Sequence, residues 1–255
     1  MRKISYRAGT PTWVDLGTPD IEATTAFYGA LFGWKATETS EDYGGYIRYE
    51  LDGEAVAGAG PLMADGQPIV WSSYFAVDDA DAAATRIANA GGQAIVPPMD
   101  VMDLGRMGLF VDPTGAAFGI WQAGTFAGAG IVNEPGSLIW NEMLTRDVSA
   151  STSFYRDALG LTGKASEATE VPYTELQVDG TTVAGMMDIS GPQWPAEMHP
   201  QWVVYFDVAD CDAACTKVQE LGGIVVVPPT DIPIGRFAVL TDPQGASFSV
   251  IQMNE

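Results

Sequence analysis

The second half of this chain repeats the first, and no other feature constrains the fold as much. Trp13 recurs as Trp140, Phe27-Tyr28 as Phe154-Tyr155, Gly33 as Gly160, Asp52-Gly53 as Asp179-Gly180 and Gly58 as Gly185, each 127 positions later (140 − 13). Farther along, Gly91-Gly92 recurs as Gly222-Gly223 and Pro97-Pro98 as Pro228-Pro229 at an offset of 131 (222 − 91). Gly105-Arg106 then matches Gly235-Arg236, and Asp112-Pro113 matches Asp242-Pro243, at 130 (235 − 105). Small loop insertions account for the drift. A period this long exceeds the roughly 20–50 residues of solenoid arrays, so each copy reads as a domain, and any site is expected twice or between the copies. The expected boundaries are 9–123 for the first domain, 124–136 for a linker and 137–255 for the second.

Within copy 1 the pattern predicts a strand at Pro11 to Leu16, then a helix capped by Asp20 and stopped by Gly33. A hairpin follows, Tyr46 to Leu51 turning at Asp52-Gly53 into Ala55 to Gly58. The unit then restarts. A strand at Ser73 to Val77 leads to a helix capped by Asp79, and further strands are expected at Gln93 to Val96, Met107 to Val111 and Ala116 to Trp121. Each copy therefore reads as βαβββ twice, an α+β arrangement. Residues 124–136 are rich in glycine and lack a period, the composition of a flexible linker.

With 255 residues, 47% of them hydrophobic, the chain has material for two single-core domains. Its net charge of −21 disfavours nucleic acid and anionic membranes as partners. No run approaches the roughly 20 apolar residues of a membrane span, so a cytoplasmic protein is the expectation. Cys211 and Cys215, four apart on a predicted helix, read as small buried residues where copy 1 has Ala80 and Ala84. Phosphate-cradling, dinucleotide-binding and serine-nucleophile motifs are missing from the sequence.

The paired βαβββ units, the Phe-Tyr helix ending in Gly, the Val-Asp-Asp-Ala-Asp-Ala-Ala helix start and the Asp-Pro-x-Gly turn before the last strand together resemble the vicinal oxygen chelate superfamily. That superfamily includes glyoxalase I, extradiol dioxygenases and bleomycin-resistance proteins. The resemblance covers nearly all of residues 9–253, and more narrowly the chain looks like the two-domain actinobacterial members labelled glyoxalase-like or hydroxylase. It implies curved mixed sheets around a cavity. It further implies that the fused copies replace the dimer of single-domain relatives, so a monomer with an internal pseudo-dimer is expected.

Metal-dependent members of that superfamily hold a divalent ion with His, Glu or Gln on the first and last strands of a unit. Here the matching positions fall on Trp13 and Trp140, near Ser72 and Val203, and on Gly119 and Ser249. An indole has no lone pair for a metal. His199 is the only histidine and sits in a Pro-rich insertion absent from copy 1, as expected of an exposed loop. No metal and no cofactor are expected, although an all-oxygen site at Asp15 and Glu142 is conceivable.

Residues two apart in a strand share a face, which places Asp15 beside Trp13 and Glu142 beside Trp140. Those four form the expected ligand site, with Trp121 and Phe248, and with Trp71 and Phe118 as further aromatic walls. The alternative for each aromatic is core packing. Arg106 and Arg236 either close the pocket on an anionic group or form ion pairs with Asp100 and Asp231. The expected function is metal-independent binding of a small, largely apolar or planar metabolite. The rival is a lyase, isomerase, oxygenase or hydroxylase using atypical metal ligands or a carboxylate base, and a third option is a protein-interaction scaffold.

Overall fold

Four aspartates launch four helices. In the computed structural model, which describes residues 1–37, 44–64, 66–167 and 172–254, the side chains of Asp20, Asp79, Asp147 and Asp210 each accept the backbone N–H three residues on, at 2.9 Å. These caps satisfy donors that a helix start leaves free. They begin α1 (Ile21–Phe32), α2 (Ala80–Asn89), α3 (Val148–Leu159) and α4 (Cys211–Glu220). Gly33 and Gly160 end α1 and α3 in the left-handed region, at φ 77° and 75°.

Copy 1 contributes β1 (Pro11–Thr18), β2 (Lys35–Ala36), β3 (Ile47–Leu51), β4 (Glu54–Pro61), β5 (Trp71–Ala76), β6 (Gln93–Val101), β7 (Gly105–Val111) and β8 (Ala117–Ala123). Copy 2 contributes β9 (Leu138–Thr145), β10 (Thr162–Ala165), β11 (Tyr173–Val178), β12 (Thr181–Asp188), β13 (Gln201–Asp207), β14 (Ile224–Ile232), β15 (Gly235–Thr241) and β16 (Ser247–Met253). Each copy makes one eight-stranded mixed sheet, in the orders β2-β3-β4-β1-β5-β8-β7-β6 and β10-β11-β12-β9-β13-β16-β15-β14. The two βαβββ units of a copy meet where β1 pairs antiparallel with β5, and β9 with β13. The α+β tandem arrangement is as the sequence predicts. β6 and β14 run past Pro97-Pro98 and Pro228-Pro229, because both are edge strands, where a missing N–H costs no ladder bond.

The hydrophobic cores do not follow the copies. One joins Leu16, Tyr28, Trp34 and Trp71 of copy 1 to Phe206, Val218 and Phe248 of copy 2. The other joins Phe75, Ile87 and Phe118 of copy 1 to Phe154, Tyr155 and Trp202 of copy 2. The expectation of two single-core domains is corrected here: each core is built half from one repeat and half from the other. Cys211 and Cys215 are free and buried in α4, and burial pushes the Cys211 thiol up to about 12. Among the described residues, no helix is long and apolar enough to cross a membrane.

The Gly-rich segment is not a loose tether. Phe126 N–H and Gly124 N–H both donate to Leu104 O, Ala129 N–H donates to Thr12 O at 2.8 Å, and Ile131 is 3% exposed. Gly128 sits at φ 118° against Thr12, where a Cβ would clash with that residue's hydroxyl and carbonyl.

Candidate functional site

Alternation along β1 turns Val14 and Leu16 to one face of the sheet and Trp13 and Asp15 to the other, and Trp13 too is buried, 5% exposed, within the larger core. There Trp13 Nε1 donates to Tyr46 Oη at 2.8 Å, and Tyr46 Oη donates to Asp15 Oδ2 at 3.2 Å. Tyr74, paired with Trp13 across β1 and β5, also hydrogen-bonds Asp15. Copy 2 repeats the cluster. Trp140 Nε1 donates to Tyr173 Oη at 2.9 Å, Tyr205 Oη donates to Glu142 Oε2 at 2.9 Å, and Tyr173 bonds the same carboxyl. Glycines make room for these rings: a Cβ on Gly58 would collide with Tyr46, one on Gly185 with Tyr173, and one on Gly119 with Tyr74.

Both carboxyls are withdrawn from solvent, and among the described residues no cation joins their hydrogen-bonded clusters. Burial raises Asp15 from 3.8 to about 7, against the lowering effect of its two tyrosine donors. Burial likewise raises Glu142, which is 6% exposed. Desolvation also holds the Tyr46, Tyr74 and Tyr205 phenols well above the ordinary range, with the nearby carboxyl adding to the effect. Each cluster is thus a buried carboxyl, its affinity for a proton raised by desolvation, braced by two phenols and an indole.

Trp13 and Asp15 therefore meet through Tyr46, and Trp140 and Glu142 through Tyr173. Trp121 shares the strand parity of Gly119, the partner of Tyr74, lies at 8% exposure in the larger core and donates its indole N–H to Phe126 O at 2.8 Å. Phe248 is placed elsewhere: it is wholly buried in a shared core against Phe27, Tyr28 and Phe206. Phe118 and Trp71 also lie in the shared cores, Trp71 Nε1 donating to Tyr28 Oη at 3.0 Å. Arg106 and Arg236 do not close a pocket. They share strand parity with the core-facing Gly108 and Ala238 and reach the helices, clamping Asp81 of α2 and Asp212 of α4 at 2.7 Å, with Asp100 and Asp231 as second partners. His199 is exposed, in a loop whose carbonyls at Pro195, Ala196 and Met198 accept from Arg146.

Tyr46, Tyr74, Tyr173 and Tyr205 were not among the expected site residues. Their signal lay in the repeat itself, since Tyr46 and Tyr173 keep the first offset (173 − 46) and Tyr74 and Tyr205 the second (205 − 74).

The divalent ion that the resemblance implies does not fit this set. Its expected first-strand position presents an indole N–H already donated to a tyrosine, the row across the strands continues through Tyr74 to Gly119 or Tyr205 to Ser249, and each cluster holds one carboxyl. Among the described residues no three His, Cys, Asp or Glu side chains gather as metal ligands. A cation site calls for converging lone pairs, whereas these groups mostly converge donors on a carboxyl.

Known proteins place this architecture. The chain is 44% identical to the "Putative glyoxylase CFP32" of Mycobacterium tuberculosis, over 98% of this chain and 97% of that protein. It is 40% identical to the anthracycline biosynthesis protein DnrV of Streptomyces peucetius, over 98% and 95%. Its fold matches the Mn(II)-bound glyoxalase from Novosphingobium aromaticivorans with a TM-score of 0.68 at 17% identity, over 98% of this chain and 83% of that one. The 2,3-dioxygenase LapB from Pseudomonas sp. KL28 matches with a TM-score of 0.67 at 15% identity, over 99% and 94%. At such identities these two likenesses speak for the fold alone. The family model described as Glyoxalase/Bleomycin resistance protein/Dioxygenase superfamily matches residues 10–120 and again 137–250, and the chain belongs to that superfamily.

Proposed function

We propose that this chain is a cytoplasmic, monomeric binding protein for a small, planar, largely apolar metabolite, held on the aromatic faces without a metal. The observation that carries the reading is the repeated cluster of one carboxyl, two tyrosines and one tryptophan where metal-dependent relatives place ligands. An indole and two phenol rings supply flat apolar surface, and a carboxyl whose hold on its proton is strengthened by burial supplies a hydrogen-bonding group for a ligand. A planar quinone or phenol suits both. The 40% identity to a protein named for anthracycline biosynthesis supports a ligand of that shape.

A second reading is favoured by Asp15, whose carboxyl titrates near neutrality at about 7. A group with that property serves as a general acid or base on a bound substrate. This second reading uses only the cluster of copy 1, where Phe126 would have to leave the face of Trp13 for a substrate to reach Asp15.

Native mass spectrometry with elemental analysis, on protein purified without chelators or a metal-affinity tag, tests the proposal. A metal-free monomer that retains or takes up a planar organic molecule supports it. Stoichiometric iron, nickel, zinc or manganese overturns it in favour of a metalloenzyme.

A further inference from the structure

The two aromatic faces carry the same cluster but are finished differently. In copy 1, Phe126 from the segment joining the copies lies edge-on to Trp13, with ring centroids 4.9 Å apart, and against Trp121 at 5.9 Å. The Arg48 guanidinium stands over the same ring, 5.4 Å from its centroid. An aromatic ring and a cation thus already occupy this face, and Trp13 and Tyr74 are buried beneath them at 5% and 6% exposure.

In copy 2 both elements change. Trp140 and Tyr205 are partly exposed, and no aromatic ring of the described residues stacks on Trp140. Arg48 pairs with Gly58 in β3 and β4, and the residue in the same register against Gly185 in β11 and β12 is Glu175. Its carboxylate accepts from Thr182 Oγ1 at 2.9 Å and Gln177 Nε2 at 3.2 Å, and such donors, those of Thr182 first, hold it below the usual carboxylate range. Where copy 1 supplies its own ring and cation, the described residues of copy 2 lay no aromatic ring on Trp140 and set a carboxylate in the register of Arg48, with Lys164 facing it across β10 and β11 as its nearest cation in the sheet.

We infer that the face of copy 2 is the ligand site, that its ligand is a planar aromatic bearing a positive charge which Glu175 recognises, and that Phe126 with Arg48 is an internal stand-in closing copy 1. This rests on the proposed binding function and adds to it the working copy and the charge of the ligand. The charge logic is direct: an ammonium beside Glu175 and over an indole gains both an ion pair and a cation–π contact.

The test is isothermal titration calorimetry on the full chain with proflavine, a planar cation, and anthraquinone-2-sulfonate, a planar anion. Wild type is expected to bind one proflavine per chain and the sulfonate at least about tenfold more weakly. Glu175→Gln should weaken proflavine by about tenfold, and Glu175→Arg should reverse the preference. Phe126→Ala should open a second site that, with Arg48 beside it, prefers the sulfonate. Glu197→Arg, an exposed charge change in a loop, controls for general attraction to an acidic protein and should leave both probes unaffected. Two equivalent proflavine sites in wild type, or indifference to residue 175 while planar probes still bind, would overturn this inference and leave the binding function standing. Binding of neither probe would overturn both.

Discussion

Tyr155 of copy 2 donates a hydrogen bond to Asp112 of copy 1 at 3.0 Å, and its repeat counterpart Tyr28 donates to Asp242 in the opposite direction at 3.2 Å. Each tyrosine also accepts an indole N–H, from Trp202 at 2.7 Å and from Trp71 at 3.0 Å. The aspartates belong to the Asp-Pro-x-Gly turns, and their other oxygens accept from the turn backbone. A helix of each repeat is therefore latched to a turn of the other through a fully buried tyrosine.

Tyr155→Phe removes one bond to a buried carboxylate and strands the Trp202 N–H. A stability loss of about 2–3 kcal/mol is expected, with the fold retained. Urea unfolding followed by circular dichroism measures it, and Tyr28→Phe should behave alike.

Because each core takes half its residues from each repeat, neither repeat should fold alone. A fragment ending near Ala123 exposes Phe75, Phe110 and Phe118 without Phe154, Tyr155 and Trp202 to cover them. Calorimetry should show no cooperative transition for either half alone, and a single sharp one for the intact chain.

The Asp15 carboxyl gives the protein a pH signature. Its folded value of about 7 lies above the ordinary 3.8, so the folded state holds the proton more tightly. The associated stability is present in acid below about 3.8, declines as pH rises toward about 7, and then levels off, a fall on the order of 2–4 kcal/mol. Glu142 acts in the same direction. Unfolding free energies measured across this window should show the decline, and Asp15→Asn should flatten it. Other carboxylates set the background, so the comparison is between variant and wild type.

Gly185→Ala places a methyl group where the Tyr173 hydroxyl lies. The tyrosine must swing away, releasing both Trp140 and Glu142. The expected result is a changed near-ultraviolet dichroism spectrum and lost ligand binding, with a stability cost of about 1–3 kcal/mol.

Much of this was legible in the chain. The repeat, the four capping aspartates and the Asp-Gly hairpins, whose central residues take φ values of 53° and 78° in copy 1 and 49° and 75° in copy 2, are local signals that the fold preserves. Strand alternation correctly paired Trp13 with Asp15 and Trp140 with Glu142. The same alternation cannot say which face of a strand enters a core, so site and core packing both stood open for Phe248, Phe118 and Trp71, and all three lie in the cores. Arg106 and Arg236 needed knowledge of where α2 and α4 lie, since their partners Asp81 and Asp212 are distant in sequence. The exchanged cores and the seat of Phe126 arise from contacts between repeats, for which no local pattern exists.

Metal-independent binding is tested most directly by a tryptophan-fluorescence titration of chelator-treated protein with 1,4-dihydroxyanthraquinone, comparing wild type with Trp140→Leu. Saturable quenching is expected without added metal, weakened by about tenfold or more in the variant. No saturable quenching, or quenching that appears only when a divalent metal is restored, would contradict it.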